Sequence, residues 1–272
     1  MVFQNPKPVL FDQVVDDTTL ITPSDTSQDT STYQEYADVY FAFIDVLGFS
    51  KTFEDNRENP TTEFAQKFRK TFEYYTRLMG EMQSMNTQNL LGTGQTSDSL
   101  YFYTNRPDFL LDFIKVFNHY SLFAMSQNIF FRGGISKGKL FVEKPHHYYG
   151  DCVIKSYLLE SKIAKLPRVM IDQATYDDLC KIENMDSLIV SDIKQDRFYI
   201  KPFIYRTSQA ICSDYPCLKN VLLDLSAEDW IRIGVHIDKG IEQFEFDEKN
   251  YPKYCFLKKE YIAVQNYPGV SA

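Results

Sequence analysis

Hydrophobic positions along this 272-residue chain fall into two patterns, short continuous runs and stripes spaced three to four residues apart. The densest run surrounds Asp45. Six of the seven residues from Phe41 to Leu47 are apolar, which predicts a buried strand over about 38–47. Residues 60–86 predict a long helix, with Thr61 or Thr62 as its cap and Phe64, Phe68, Phe72 and Tyr75 on its core-facing stripe. Asn89-Leu90-Leu91 then predicts a strand, Gly92-Thr93-Gly94-Gln95 a tight connection, and Ser99 to Tyr103 the returning strand. A helix over about 107–126 opens with Pro107 and turns Leu110, Ile114, Phe117 and Met125 inward. The segment NIFFRGGISKGKLFVE predicts a second hairpin, with strands on both sides of Ser136-Lys137-Gly138. A helix over 150–165 stops at Leu166-Pro167-Arg168. Beyond it come a short buried strand at 169–171, a helix at 173–181 and β structure within 187–206. Two further helices follow at about 225–246 and 252–265. This order implies an α+β fold: a mainly antiparallel central sheet, helices on one face, and a ferredoxin-like split βαβ within it.

Composition adds bounds. Residues 1–36 are rich in Ser, Thr and Asp and lack periodicity, which reads as a flexible arm. The remainder fits one large domain, divided here into 37–206 and a helical extension, 207–272, packed on it. A net charge of −8 argues against a broad nucleic-acid surface but not against a nucleotide, whose charge a metal can balance. The five cysteines are scattered, odd in number and without a CxxC pair, so neither a disulfide framework nor a zinc site is expected. No apolar run reaches membrane-spanning length, and a reducing, cytoplasmic setting without membrane partners is the expectation.

Two charges stand in apolar surroundings. A carboxylate inside a strand such as that of Asp45 is costly unless a positive group meets it. With Gly48 ending the strand, the position suits a cation and a phosphate chain; it also suits a structural Asp capping its own turn. Arg132 is the second charge. Gly133-Gly134 beside it removes side chains, so another backbone or a ligand can approach. An ordinary ion pair at a strand end is the other reading of Arg132. Gly92-Thr93-Gly94 is not a dinucleotide fingerprint, because no helix follows and the third Gly is missing. His119, His146, His147 and His236 form no arrangement that would activate a nucleophile.

Four segments together, FIDVLGFS, SDSLYFY, FFRGGISKGKLF and YYGDCVIKSYLLESKIAKLPRVMID, resemble the catalytic domain of the class III nucleotidyl cyclases. They are most similar to the pyrimidine cyclases of the bacterial phage-defence system Pycsar. The resemblance covers roughly residues 38–172. It implies that Asp45 and Asp98 bind two divalent ions, Mn2+ or Mg2+, with the backbone carbonyl of Val46 as a further ligand. It places Gly48, Phe49 and Ser50 along a nucleoside triphosphate and Phe41 and Phe43 against its base. The implied product is a 3′,5′-cyclic nucleotide, from UTP rather than CTP by the family's commoner habit, reaching an effector by diffusion. A homodimer with sites at its interface is implied too. The chain departs from the commoner purine cyclases: no Lys lies in 92–97, and Ile154 and Leu158 stand where the family carries an Asn and an Arg. Arg132 is then the candidate catalytic cation, with Lys51 and Lys137 behind it. The alternatives are a degenerate, nucleotide-binding cyclase-like domain and a diguanylate-cyclase-like enzyme, the latter disfavoured by the absence of a Gly-Gly-Asp/Glu-Glu-Phe turn.

Overall fold

The computed structural model of the chain describes residues 34–49, 54, 63–84, 90–144, 147–192, 197–204 and 206–265. The predicted arm lies almost wholly outside these, as do Ser50, Lys51, the helix-capping Thr61 and Thr62, and Asn89.

The apolar run around Asp45 is the middle of β1 (Gln34–Val46), the strand on which the sheet is built. β1 pairs antiparallel with β3 (Ser99–Thr104) on one side and β4 (Phe131–Lys144) on the other. β2 (Leu91–Thr96) flanks β3. Beyond β4 lie β6 (Val169–Ile171), β8 (Arg197–Ile200) and β7 (Ile189–Asp192), while β5 (His147–Tyr149) pairs separately with β4. Among the described residues only the β4–β6 pair is parallel, so the architecture is the expected α+β one with a mostly antiparallel sheet.

The two-residue period of β1 decides what each face does. Tyr40, Ala42, Ile44 and Val46 point into the main core, against α1 (Glu63–Ser84) and α2 (Pro107–Ser126). Phe72, Tyr75 and Leu78 of α1 and Leu110, Ile114 and Phe117 of α2 meet them there. Each such fully buried side chain contributes about 1.5–3 kcal/mol of transfer free energy. From Phe109 to Ser126 all but Asp112, Lys115 and Phe123 are buried, because α2 is also covered from outside. Its Leu122 and Met125 join Phe130 in a second core with Trp230, Ile233 and Ile237 of α6 (Ala227–Gln243) and Leu257 and Tyr261 of α7 (Tyr251–Gln265). Ser226 and Asp229 cap the start of α6 reciprocally, each side chain accepting from the other's backbone N–H.

Phe41, Phe43 and Asp45 face the other way. Over that face runs α3 (Asp151–Leu158), an addition to the helices on the core side. Its sheet-facing residues recur four apart and are polar or small. Cys152 Sγ donates to the Lys139 carbonyl, and Ser156 Oγ donates to the Phe41 carbonyl at 2.6 Å. Gly134 makes this approach possible, since a Cβ there would collide with the Ser156 carbonyl.

Three expectations are corrected. The turn between β2 and β3 falls at Ser97-Asp98, not at Gly92–Gln95; those residues are in β2, with Tyr103 lying over Gly92 and Tyr101 over Gly94. Residues 131–144 form one strand rather than a hairpin. Ser136, Lys137 and Gly138 stay in the β1 ladder, and the fully buried Ser136 hydroxyl bonds to the Cys152 carbonyl at 2.8 Å. The helix at 150–165 is α3 continued by a π-helical turn, Leu159–Ile163. Two shorter α-helices, α4 (Gln173–Cys180) and α5 (Ser208–Asp214), are also described, the latter unforeseen from the sequence, with 3-10 turns at Met185–Ser187 and Pro216–Asn220.

Candidate functional site

At its C-terminal end β1 brings Asp45 between Ser99 of β3 and Arg132 of β4. Ser99 Oγ donates to one carboxylate oxygen and an Arg132 Nη donates to the other, each at 3.3 Å. Asp98 sits in the β2–β3 turn just after Ser97, whose φ of 55° is left-handed. The turn is stitched to β1: the Val46 N–H donates to the Asp98 carbonyl at 3.2 Å. Burial pushes the Asp45 carboxyl up from its ordinary range and the charge of Asp98 pushes it further, against the pull of Arg132 and Ser99. Ionised Asp45 is thus disfavoured first by its burial and then by the neighbouring carboxylate.

The chain turns sharply after Val46, whose side chain is in the core. Leu47 packs on the second core, beneath α6 and α7. Phe49 stacks on Phe68 of α1, with centroids 4.8 Å apart. Gly48 between them is exposed at φ 76°, a conformation that favours glycine. Both hydrophobic neighbours act as anchors, holding the Gly48 backbone outward. Ser50 and Lys51, expected beside it, lie outside the described residues.

Phe41 and Phe43 differ in access. Phe41 is fully buried under Tyr101, Tyr103 and Tyr148, and so offers a base no surface. Phe43 is half-buried, with Tyr157 of α3 edge-on at 5.8 Å. Lys137 faces the opposite side of β4, where it bonds to Asp178 at 2.9 Å and pairs with Asp38. The space that Gly133 and Gly134 leave is taken up by protein backbone, that of Phe43 and Ser156, and not by an open cleft.

The sequence reading missed Glu160. It is 3 % exposed, in the π-helical turn after α3, and its Oε1 lies 2.6 Å from Nε of Arg132. The contact is an ion pair rather than an aligned hydrogen bond. Burial raises the Glu160 carboxyl, Arg132 lowers it, and Asp45 and Asp98 raise it again. A signal was present: Cys152, Ser156 and Glu160 lie four apart on one helix stripe, and Glu160 is a charge within LLESKIA. Lys253 of α7 is the other unforeseen group. Its buried amine is lowered by desolvation, by Lys249 and by Arg132, so the C-terminal helix comes within electrostatic reach of the site.

Among the described residues no group of three or more His, Cys, Asp or Glu side chains is arranged to hold a metal ion. Two carboxylates are nonetheless a fitting donor set for magnesium or manganese, which complete their shells with phosphate and water oxygens. The charge of Asp98 facing the partly desolvated Asp45 carboxyl fits them as well.

No family model matches the chain, and no curated protein matches it. Solved structures similar to it include the guanylyl cyclase domain of the RhoGC fusion protein of the aquatic fungus Blastocladiella emersonii, described as monomeric. That domain is 16 % identical over 62 % of this chain and 96 % of its own, with a TM-score of 0.43. Two structures of bacterial light-regulated adenylyl cyclases are also similar. One is 17 % identical over 70 % of this chain and 59 % of its own, at TM-score 0.46. The other is 16 % identical over 70 % and 60 %, at TM-score 0.42.

Proposed function

We propose that the chain is a nucleotidyl cyclase of the class III type that converts UTP, or else CTP, to the 3′,5′-cyclic nucleotide and pyrophosphate. The observation that carries this reading is the stitching of the Asp98 turn to the end of β1, which brings two carboxylates from neighbouring strands together. Asp45, Asp98 and the Val46 carbonyl would hold two divalent ions, Mg2+ or Mn2+, which neutralise the triphosphate and lower the pKa of the ribose 3′-hydroxyl. In the reaction a bond forms from the 3′-oxygen to the α-phosphorus as the bond to the β-phosphate oxygen breaks. Pyrophosphate leaves, and the hydroxyl proton passes to solvent. Gly48 presents backbone to the phosphates. Arg132 meets the charge that grows on the α-phosphate, a planar fork able to bond two oxygens at once. Phe43, with Tyr157, offers the aromatic surface for a pyrimidine.

In this reading residues 37–206 are the catalytic domain, 207–272 its helical extension and 1–36 an arm. The protein works in the cytoplasm as a homodimer, and the cyclic nucleotide is a diffusible alarm in anti-phage defence. Among the described residues no helix is long and apolar enough to cross a membrane. Incubation with each of the four ribonucleoside triphosphates and Mn2+, with products identified by mass, tests the reading: cyclic UMP or cyclic CMP is expected, and cyclic AMP or cyclic GMP alone contradicts the pyrimidine assignment. A degenerate, nucleotide-binding domain is the second reading. The exposed Ile154 and Leu158, in place of an Asn and an Arg, favour it. Nucleotide binding without any cyclic product would establish it.

A further inference from the structure

We propose that Glu160 is a positioning residue for cyclisation: it fixes the Arg132 guanidinium by its Nε edge, so that the other nitrogens stay turned towards the Asp45 end of the site. The proposal rests on the cyclase reading, and it adds a residue that the motif resemblance does not supply.

Three observations carry it. First, the two carboxylates divide Arg132 between them. Glu160 Oε1 lies 2.6 Å from Nε, whereas Asp45 Oδ2 accepts from an Nη at the longer distance of 3.3 Å. A guanidinium has five N–H donors in one rigid plane. Fixing the Nε edge therefore fixes where the Nη groups point, and only the longer bond need be exchanged for a phosphate oxygen. Second, Glu160 is almost fully buried, while Asp45 and Arg132 are more exposed. The inner carboxylate is the fixed end of the chain and the outer groups are the ones a ligand reaches. Third, the backbone departs from α-helix at this point. Leu159–Ile163 is a π-helical turn, closed by the Ala164 N–H on the Leu159 carbonyl at 2.7 Å. Single π turns within helices recur at functional sites. The preceding turns of α3 are already held to the sheet by Cys152 and Ser156, and by Asp151 and Lys155 on the backbone of Lys139 and Lys137, so holding the helix down does not require a further carboxylate at 160.

The test compares wild type, Glu160→Gln, Arg132→Ala and the double variant. Gln keeps the shape and removes the charge, and Glu160→Asp serves as a conservative control. The readouts are kcat and KM for UTP with Mn2+, the melting temperature, and the side-chain order of Arg132 from the heteronuclear NOE of its 15Nε in nucleotide-free protein. Glu160→Gln is expected to lower kcat roughly 10–100-fold, the range for partners that orient a site residue, with a smaller change in KM. The Arg132 side chain should lose order, Glu160→Asp should recover part of kcat, and the double variant should be no slower than Arg132→Ala alone. Wild-type kcat in folded Glu160→Gln, or losses that multiply in the double variant, would overturn the proposal. Side-chain order at Arg132 that does not depend on Glu160 would overturn it as well. If no nucleotide is cyclised by the wild type but the order of the Arg132 side chain does depend on Glu160, the cyclase reading has failed and the Glu160–Arg132 contact stands.

Discussion

Keeping Asp45 ionised is costly, because its carboxylate is partly buried and faces the charge of Asp98. The folded chain holds that proton more tightly than the unfolded chain does. Stability from this group is therefore present at low pH and is lost as pH rises from about 4, the ordinary aspartate value, through the raised folded value. The metal-free Asp45→Asn variant should accordingly melt at or above wild type near neutral pH, and the gap should widen as pH is raised from about 4 to about 7. Differential scanning fluorimetry in chelator checks this; a gap that narrows with pH would refute the charge balance drawn here. The apolar run 41–47 already marked Asp45 as unusual, and the Gly pair already marked Arg132. Arg132, which the sequence left open between an ion pair and a ligand-facing cation, is ion-paired to both Asp45 and Glu160. The spacing of Glu160 from Cys152 and Ser156 was legible but its contact with Arg132 was not, since the two lie 28 positions apart and the π turn that buries Glu160 has no sequence signature. Phe41 was misjudged because period two fixes which face a residue takes, not what else covers that face.

At the level of elements, α3 is held to the sheet by hydrogen bonds more than by apolar packing. Ser156 Oγ donates to Phe41 and shares a bond with the buried Ser136 hydroxyl at 2.9 Å. Gly134→Ala should force α3 away from β4, at a cost of about 1–3 kcal/mol for overpacking. It should reduce turnover as well, because α3 leads into the turn that carries Glu160. Unchanged melting temperature and kcat in that variant would show that the helix is not seated as described. The long helices and β1 were readable because each has one clear period over many residues. The β4 hairpin was misread because Ser136-Lys137-Gly138 has turn composition, while its role is close packing under α3. Likewise the Gly-rich part of β2 makes room for tyrosine rings, and the turn falls at Ser97-Asp98 instead.

For the whole molecule, the second core ties the end of the sheet to the C-terminal helices, with Leu47 as the link to the turn beside Asp45. The packing of α6 and α7 on α2 was not legible, because amphipathic spacing gives a buried face but no partner. On the site side, Tyr149, Ile154, Tyr157 and Leu158 are exposed, Ile154 by 61 % and Leu158 by 43 %. An apolar surface there fits the proposed homodimer. Ile154→Glu should then shift the protein to monomer and lower turnover at low protein concentration, as read by light scattering alongside the product assay. A wild-type protein that is fully active as a monomer would remove the dimer from the account. The central claim is that Asp45 and Asp98 together hold the catalytic ions. Its most direct test is the rate of cyclic nucleotide formation from Mn2+ and UTP, or CTP, in wild type, Asp45→Asn and Asp98→Asn, each shown to be folded by its melting curve. Product from wild type and none from either variant is the predicted result; full activity in either variant would contradict it.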